Sequence, residues 1–135
     1  MKRDKHDKVF SDLIREAYDW TCCRCGKYYP EGFRQGLHCS HIHSRRHKAT
    51  RWHVWGAVAH CFGCHRWFGE NPTESAPWLG DYIGRERVDY VRSLAHSDGK
   101  IYVKAKEEIY AHNKKELERV MKLPRDIIEK YVRFH

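Results

Sequence analysis

The sequence predicts an α+β fold in which two short strands lie between an N-terminal helix and a helical C-terminal half. Its 135 residues are enough for one domain, or one domain with a helical appendage, but not for two full domains. Apolar residues recur at steps of three and four in residues 6–20, and the same helical pattern dominates residues 73–121. Residues 36–42 and 57–61 have strand character instead.

The first helix is predicted from the spacing of its apolar side chains, which are Val9, Phe10, Leu13, Ala17 and Trp20. A tight turn over residues 22–26 and a loop over residues 29–32 lead to the first strand. A long basic connection joins the two strands, and the helical pattern resumes after Cys64.

The C-terminal half is predicted to be a series of helices. They cover residues 73–83 (closed by Gly84), 85–96 and 103–121, and a last one opens at Pro124. We place the domain boundary after residue 71. Residues 1–71 form the core with its N-terminal helix, and residues 72–135 form a helical extension packed on the core or following it.

Composition argues against a membrane or secreted protein. Charged residues make up 33% of the chain, and no uninterrupted apolar run exceeds four residues, so we expect no transmembrane helix. Residues 1–8 are too charged for a signal peptide. We therefore expect a cytoplasmic protein, in which the six cysteines are metal ligands rather than disulfides.

The net charge of +8 is concentrated in the middle of the chain. Residues 32–69 contain six basic side chains, no acidic ones, and seven of the eleven histidines, whereas both flanks are nearly balanced. A basic, histidine-rich segment without acids is typical of a site for a polyanion. A solvated basic loop would explain the arginines but not the histidines or cysteines.

Two C-x-x-C motifs are the strongest chemical signal. Cys22 and Cys25 form the first, Cys61 and Cys64 form the second, and 35 residues separate them. Four thiolates at this spacing predict one tetrahedral structural zinc. The alternative, a redox pair, needs only one motif and a βαβ context that the sequence lacks. The two remaining cysteines, Cys23 and Cys39, are predicted to be packing residues.

Histidines lie between the two C-x-x-C motifs and directly after the second one. The first strand runs through LHCSHIHSRR (residues 37–46), and the second motif continues as CFGCHRWF (residues 61–68). A histidine at a strand end, another just after the second cysteine pair, and zinc thiolates beside both resemble the HNH (ββα-metal) nucleases. More narrowly, the pattern resembles phage recombination proteins of the NinG/Rap type. The resemblance spans roughly residues 20–121.

The resemblance implies a zinc-stapled ββα-metal core that cleaves DNA phosphodiesters with a second divalent metal (Zn, Mn, Ni, Co or Mg). By position, His41 would be the general base that activates water, and His65 would be a ligand of that metal. His43 and His47 are further candidate ligands. The alternative for each of these histidines, considered alone, is a side chain that is hydrogen-bonded within the protein or exposed to solvent.

Three positions differ from the family pattern. Ser40 replaces the acid that commonly precedes the first histidine, Gly56 stands where the central asparagine is expected, and His53 replaces an aspartate. A motif without a carboxylate would hold its metal mainly through imidazoles, which favours Zn, Ni, Co or Mn over Mg. The site therefore has an altered ligand set or is degenerate.

Cations next to aromatic rings suit a nucleic acid with unpaired bases. The predicted DNA contacts in the connection between the strands are Arg45, Arg46, Lys48 and Arg51. Trp52 and Trp55 lie among them and could stack on bases or belong to the core.

We thus expect a structure-directed HNH-type endonuclease of phage recombination or DNA processing, acting in the bacterial host cytoplasm. Its partners would be DNA and phage or host recombination or replication proteins. A homodimer is left open, because cutting a junction requires two strands to be cut. The alternatives are a non-catalytic zinc-ribbon DNA-binding protein and a zinc-stapled adaptor that contacts a protein through residues 72–135.

Overall fold

A computed structural model describes residues 2–125 of the chain. The N-terminal half contains helix α1, the strands β1 and β2, and the short helix α2 between them: Lys5–Ala17 (α1), Leu37–His41 (β1), Lys48–Arg51 (α2) and Ala57–Cys61 (β2). The helices that follow are Phe62–Glu70 (α3), Pro72–Ile83 (α4), Arg85–Ala95 (α5), Lys100–Lys104 (α6) and Lys106–Met121 (α7). The mixed α+β architecture is confirmed.

Helix α1 begins at a capping box. The Asp4 carboxylate accepts hydrogen bonds from the backbone N–H groups of His6 and Asp7 at 3.0 and 3.1 Å, and the Asp7 carboxylate accepts from the Asp4 N–H at 3.0 Å. The helix ends earlier than the predicted residue 20. Asp19 and Trp20 have left-handed backbone angles, with φ of 54° and 53°, which reverse the chain towards the first cysteine pair.

The two strands form an antiparallel hairpin whose register places His38 opposite His60 and His41 opposite Ala57. Because side chains alternate along a strand, His38, Ser40 and His60 lie on one face of the hairpin. Helix α3 begins directly after β2, with Cys61 as its N-cap. The hairpin and α3 together span residues 37–70, and α2 lies in the connection between the two strands.

The long basic connection between the strands has secondary structure of its own. It contains α2 and a 3-10 turn at Val54–Gly56. Gly56 is tightly enclosed, since a Cβ atom there would lie 2.7 Å from the carbonyl oxygen of Thr50. The turn therefore accepts glycine at this position and no larger residue without rearrangement.

The C-terminal helices share one core with the N-terminal half. Leu79 of α4 and Val120 of α7 belong to the same buried cluster as Phe10 and Val58. Gly84 closes α4 as predicted, with φ of 98°. The helix predicted over residues 103–121 is instead divided into α6 and α7, and the one predicted from Pro124 falls largely outside the described residues.

Polar contacts also join α7 to α1. The His6 Nε2 atom lies 2.9 Å from the Glu107 carboxylate, and the Lys106 ammonium donates to Asp4 at 2.8 Å. Within residues 2–125, no helix combines the length and the apolar character needed to cross a membrane.

Candidate functional site

Four cysteine sulfurs form a cluster between the turn after α1 and the start of α3. The Sγ atoms of Cys22, Cys25, Cys61 and Cys64 all lie within 4.8 Å of one another. Two thiolates at 2.3 Å from a tetrahedral zinc are about 3.8 Å apart, and the Cys25 and Cys61 sulfurs are 3.8 Å apart. The predicted four-cysteine cluster is confirmed as a group that could hold a metal such as zinc.

The backbone around the first cysteine pair is arranged for ligation. The Gly26 N–H donates to the Cys22 carbonyl oxygen at 2.9 Å, and the Cys22 N–H donates to the Lys27 carbonyl oxygen at 2.9 Å. Gly26 has φ of 78°, a left-handed conformation that glycine adopts readily. The turn predicted at residues 22–26 is thus a closed knuckle that points both thiols to one side.

Arg24 adds a positive charge beside the thiols. Its guanidinium donates to the Cys64 sulfur at 3.7 Å and stacks 3.6 Å from the ring centre of Trp67. A zinc ion with four thiolates carries a net charge of −2, so a cation here stabilises the loaded site. Arg24 was not among the predicted site residues.

The two cysteines outside the cluster differ in environment. Cys23 donates its backbone N–H to the Ala59 carbonyl oxygen at 2.9 Å, which ties the knuckle to β2. Burial raises the pKa of the Cys39 thiol to about 11. Cys39 is therefore a neutral thiol at physiological pH, consistent with a packing role.

Three histidines meet on the face of the hairpin that α3 covers. The Nδ1 atoms of His38 and His65 are 3.1 Å apart. The His38 Nε2 atom lies 3.0 Å from the Gln35 carbonyl oxygen; because a carbonyl only accepts, Nε2 carries the proton and neutral His38 has its lone pair on Nδ1. The third member is His60, whose ring lies 6.4 Å from that of His65, centre to centre.

His60 and Ser40 are polar groups in an apolar setting. Both are completely buried, and neither the His60 ring nitrogens nor the Ser40 hydroxyl has a hydrogen-bond partner among residues 2–125. Burial, together with the neighbouring His65 and Arg24, lowers the pKa of His60 to about 3. His60 is therefore a neutral imidazole at the floor of the histidine cluster.

His41 lies at the end of β1 and is oriented by the connection between the strands. Its Nε2 atom donates to the carbonyl oxygen of Arg51 at 3.0 Å, so the lone pair of the neutral ring is on Nδ1. Burial lowers the pKa of His41, as does the nearby Arg45. His41 is thus neutral at pH 7 and able to accept a proton.

His41 and His65 both line two adjoining clefts. The larger, of about 1160 Å³, lies between the hairpin, α3, α4 and α5, and its acidic groups are Glu70 and Asp89. The smaller, of about 540 Å³, is lined by four arginines with one acid, Asp7. The arginines are Arg3, Arg15, Arg34 and Arg45.

Three of these arginines were not predicted as site residues. Arg3, Arg15 and Arg34 are distant from the basic segment or at its edge, and nothing in their local sequence marks them. The fold brings them together because α1 packs against β1. Arg15, for example, donates to the Leu37 carbonyl oxygen at 2.8 Å. No single-sequence signal would have identified this convergence.

The predicted ligand set of His65, His43 and His47 is divided by the fold. His65 pairs with His38, whereas His43 and His47 lie next to each other with ring centres 5.9 Å apart. Their other ring neighbour is His96, at the end of α5. A single ion held by all three predicted histidines is not the arrangement observed.

The four side chains predicted to contact DNA have different surroundings. Arg46 is exposed and Lys48 is half-buried, and Arg45 lies 3.7 Å from the Asp7 carboxylate. The structure corrects the prediction that Arg51 contacts DNA, because its side chain is 5% exposed and forms an ion pair with Asp7. Its guanidinium is committed inside the protein, so we remove Arg51 from the predicted phosphate contacts.

The two tryptophans of the connection have different surroundings. Trp52 is buried and donates its indole N–H to Asp7 at 3.2 Å, as a core residue does. Trp55 is half-buried, and its ring packs edge-on against Tyr90 and beneath the guanidinium of Arg87. Only Trp55 has surroundings that suit the stacking role.

Comparisons with known proteins do not assign this site to a family. No family model matches the chain, and neither a curated protein nor a solved structure matches it. Function must therefore be argued from the geometry of the site itself.

Proposed function

We propose that the protein is a metal-dependent endonuclease of HNH type that hydrolyses DNA phosphodiesters. The observation that supports this most is the unit formed by the hairpin and α3, in which His41 at the end of β1 and His65 in the first turn of α3 line the same clefts. The four-thiolate cluster lies at the base of this unit and would hold it together.

His41 would act as the general base. Phosphodiester hydrolysis needs a group that takes a proton from water as the water attacks phosphorus. The Nδ1 atom of His41 is free to do this because Nε2 is occupied by the Arg51 carbonyl oxygen. Burial keeps the ring neutral, so the base is ready at physiological pH.

His65 and His38 would hold the catalytic metal. Two imidazole nitrogens on one tetrahedral ion are about 3.3 Å apart, close to the 3.1 Å between the two Nδ1 atoms. The carbonyl oxygen of Gln35 fixes the proton of His38 on the far nitrogen, as hydrogen-bond acceptors next to metal-binding histidines commonly do. A bound divalent cation would supply positive charge to the scissile phosphate and to the leaving 3′ oxygen.

The arginines of the smaller cleft would position the DNA backbone. Of the four arginines around the cleft that His41 and His65 also line, Arg15 and Arg34 form ion pairs with Asp12, so we expect Arg3 and Arg45 to meet the phosphates. Such a cleft attracts phosphates without reading base sequence. Branched or single-stranded DNA, in phage recombination or DNA processing, is the substrate class we favour, because the exposed Tyr90 ring lies against the half-buried Trp55 near the connection.

A second candidate is a non-catalytic DNA-binding protein built on the same scaffold. Ser40 is buried where an acidic metal ligand is expected, and Gly56 cannot be replaced by asparagine without a clash with the Thr50 carbonyl oxygen. In this alternative the arginine cleft would bind DNA while the histidines have no catalytic metal.

Two alanine variants separate these candidates. Replacing His41 should reduce cleavage of a four-way DNA junction by about 10²–10⁴-fold while DNA binding survives. Replacing His65 should weaken metal occupancy, so a higher metal concentration should restore part of its activity. His112→Ala, an exposed histidine on α7, is the matched control and should cleave normally. Cleavage by His41→Ala at the wild-type rate would refute the assignment.

A further inference from the structure

Three histidines form a second cluster at the connection between the strands, and one of them, His43, also lines the larger cleft. His43 and His47 belong to that connection, and His96 caps the C-terminal end of α5. Their ring centres are 5.9 Å apart for His43 and His47, 6.4 Å for His43 and His96, and 6.0 Å for His47 and His96. The three imidazoles thus form a nearly equilateral triangle.

The size of this triangle is close to that of a three-histidine metal site. Imidazole nitrogens at 2.0–2.1 Å from an ion place the ring centres about 3.2 Å from it, and hence about 5.2–5.5 Å from one another. The observed spacings exceed this by about 0.4–1.2 Å, so side-chain rotations of that size would bring all three rings onto one ion. The rings are steeply inclined to each other, at 71–81°, so they are not stacked face to face.

The hydrogen bonding of His47 prepares it for this role. Its Nδ1 atom lies 3.0 Å from the Ala95 carbonyl oxygen and must donate to it. The lone pair of neutral His47 is therefore on Nε2, the nitrogen on the other side of the ring. A backbone carbonyl that fixes the tautomer in this way is the usual outer partner of a metal-binding histidine.

The protonation state of His43 is compatible with ligation. Burial lowers the pKa of His43, and the neighbouring His47 and His96 lower it further. A neutral imidazole is the form that binds a metal. His96 is held in place independently, because its backbone N–H donates to the Arg92 carbonyl oxygen at the end of α5.

We propose that His43, His47 and His96 form a separate site for a transition-metal ion such as Zn²⁺, Ni²⁺ or Co²⁺. Three nitrogen ligands leave a fourth position for water or an anion. The site joins the connection between the strands to α5, and these two segments also meet through the His47–Ala95 hydrogen bond and the Trp55–Tyr90 ring contact. Because Arg45 and Arg46 lie between two of the ligands, an ion here orders the segment predicted to contact phosphates.

Nickel binding tests the proposal without reference to nuclease activity. Full-length protein is first saturated with zinc at the cysteine cluster, then dialysed against Ni²⁺, and bound nickel per chain is counted by mass spectrometry. We expect His96→Ala to bind one equivalent less than wild type, and His43→Ala to show the same loss. His112→Ala should bind as wild type does. His96 is exposed, so its variant should fold, and a thermal melt checks this.

The same measurement distinguishes this site from the His38–His65 pair. In a His65→Ala background, introducing His96→Ala should still remove one equivalent of nickel, because the two sites are independent. If His96→Ala and His43→Ala bind as much nickel as wild type, the proposal is wrong. If the loss caused by His96→Ala disappears in the His65→Ala background, the histidines do not form a separate site and the proposal is equally wrong.

Discussion

The Asp7 carboxylate accepts two hydrogen bonds from the Arg51 guanidinium, at 2.8 Å to Nε and 2.6 Å to Nη2. Asp7 belongs to α1 and Arg51 to α2, and both side chains are buried. The carbonyl oxygen of Arg51 in turn accepts the Nε2 proton of His41. A bidentate ion pair on one side of the backbone thus positions the proposed general base on the other.

Replacing Asp7 with asparagine should strongly destabilise the protein. The change leaves the Arg51 guanidinium buried without its counter-charge, which typically costs about 3–5 kcal/mol of unfolding free energy. Denaturant unfolding monitored by tryptophan fluorescence measures the loss. Asp89→Asn, which removes an exposed pair with Arg92, is the control and should have a much smaller effect. Equal losses for the two variants would contradict the role given to Asp7.

Replacing Cys61 with serine should leave a poorly folded chain. A structural zinc contributes on the order of 10 kcal/mol to small zinc domains, comparable to the whole stability of a domain of this size. Circular dichroism melts and zinc content per chain are the measurements. Cys23→Ser is the matched control, because Cys23 lies outside the four-sulfur cluster. A Cys61→Ser protein that melts like wild type would exclude a structural metal there.

Replacing Arg45 and Arg46 with alanine should weaken the salt dependence of DNA binding. Each duplex phosphate contact contributes about −0.9 to the slope of log affinity against log salt. The double variant should therefore lose up to about 1.8 units of slope, while its melting temperature changes little. Lys114→Ala/Lys115→Ala, on the exposed surface of α7, is the control for nonspecific charge. A slope that falls only in this control would move the DNA-binding face to α7.

The pH dependence of cleavage should report the environment of His41. A general base works only when it is deprotonated, so the rate should rise with pH through the pKa of His41. Because burial lowers that pKa, the acid limb of kcat/KM should lie below the ordinary histidine value of about 6.5. Initial rates between pH 4.5 and 8 test this. An acid limb above 6.5 would contradict a buried neutral base.

The sequence predicted the parts of this structure that depend on local patterns. Strand β2 lies at the predicted residues 57–61, and the four cysteines meet because each C-x-x-C fixes its own knuckle. The end of α1 was missed because Asp19 and Trp20 adopt left-handed angles that neither residue type signals strongly.

The histidine assignments show where sequence reasoning ends. Spacing could not distinguish His38 from His43 as the partner of His65, because that choice depends on the fold: His38 lies in β1 opposite His60, whereas His43 lies beyond the end of the strand. Nothing in the local sequence distinguishes Arg51 from its basic neighbours, because its partner Asp7 lies 44 residues away. Long-range pairs of this kind leave no periodic signal in a single sequence.

The decisive measurement for the proposed nuclease activity is cleavage of a labelled four-way junction and of a matched duplex, with Mg²⁺, Mn²⁺, Ni²⁺, Co²⁺ or Zn²⁺ added in turn. We expect cleavage of the junction with at least one of these ions, and products that end in 5′-phosphate and 3′-hydroxyl groups. We expect this cleavage to be lost in His41→Ala. If the wild-type protein cleaves neither substrate with any of these ions but still binds DNA in a salt-dependent way, the proposed nuclease activity is contradicted. The non-catalytic DNA-binding protein would then be the function that the observations support.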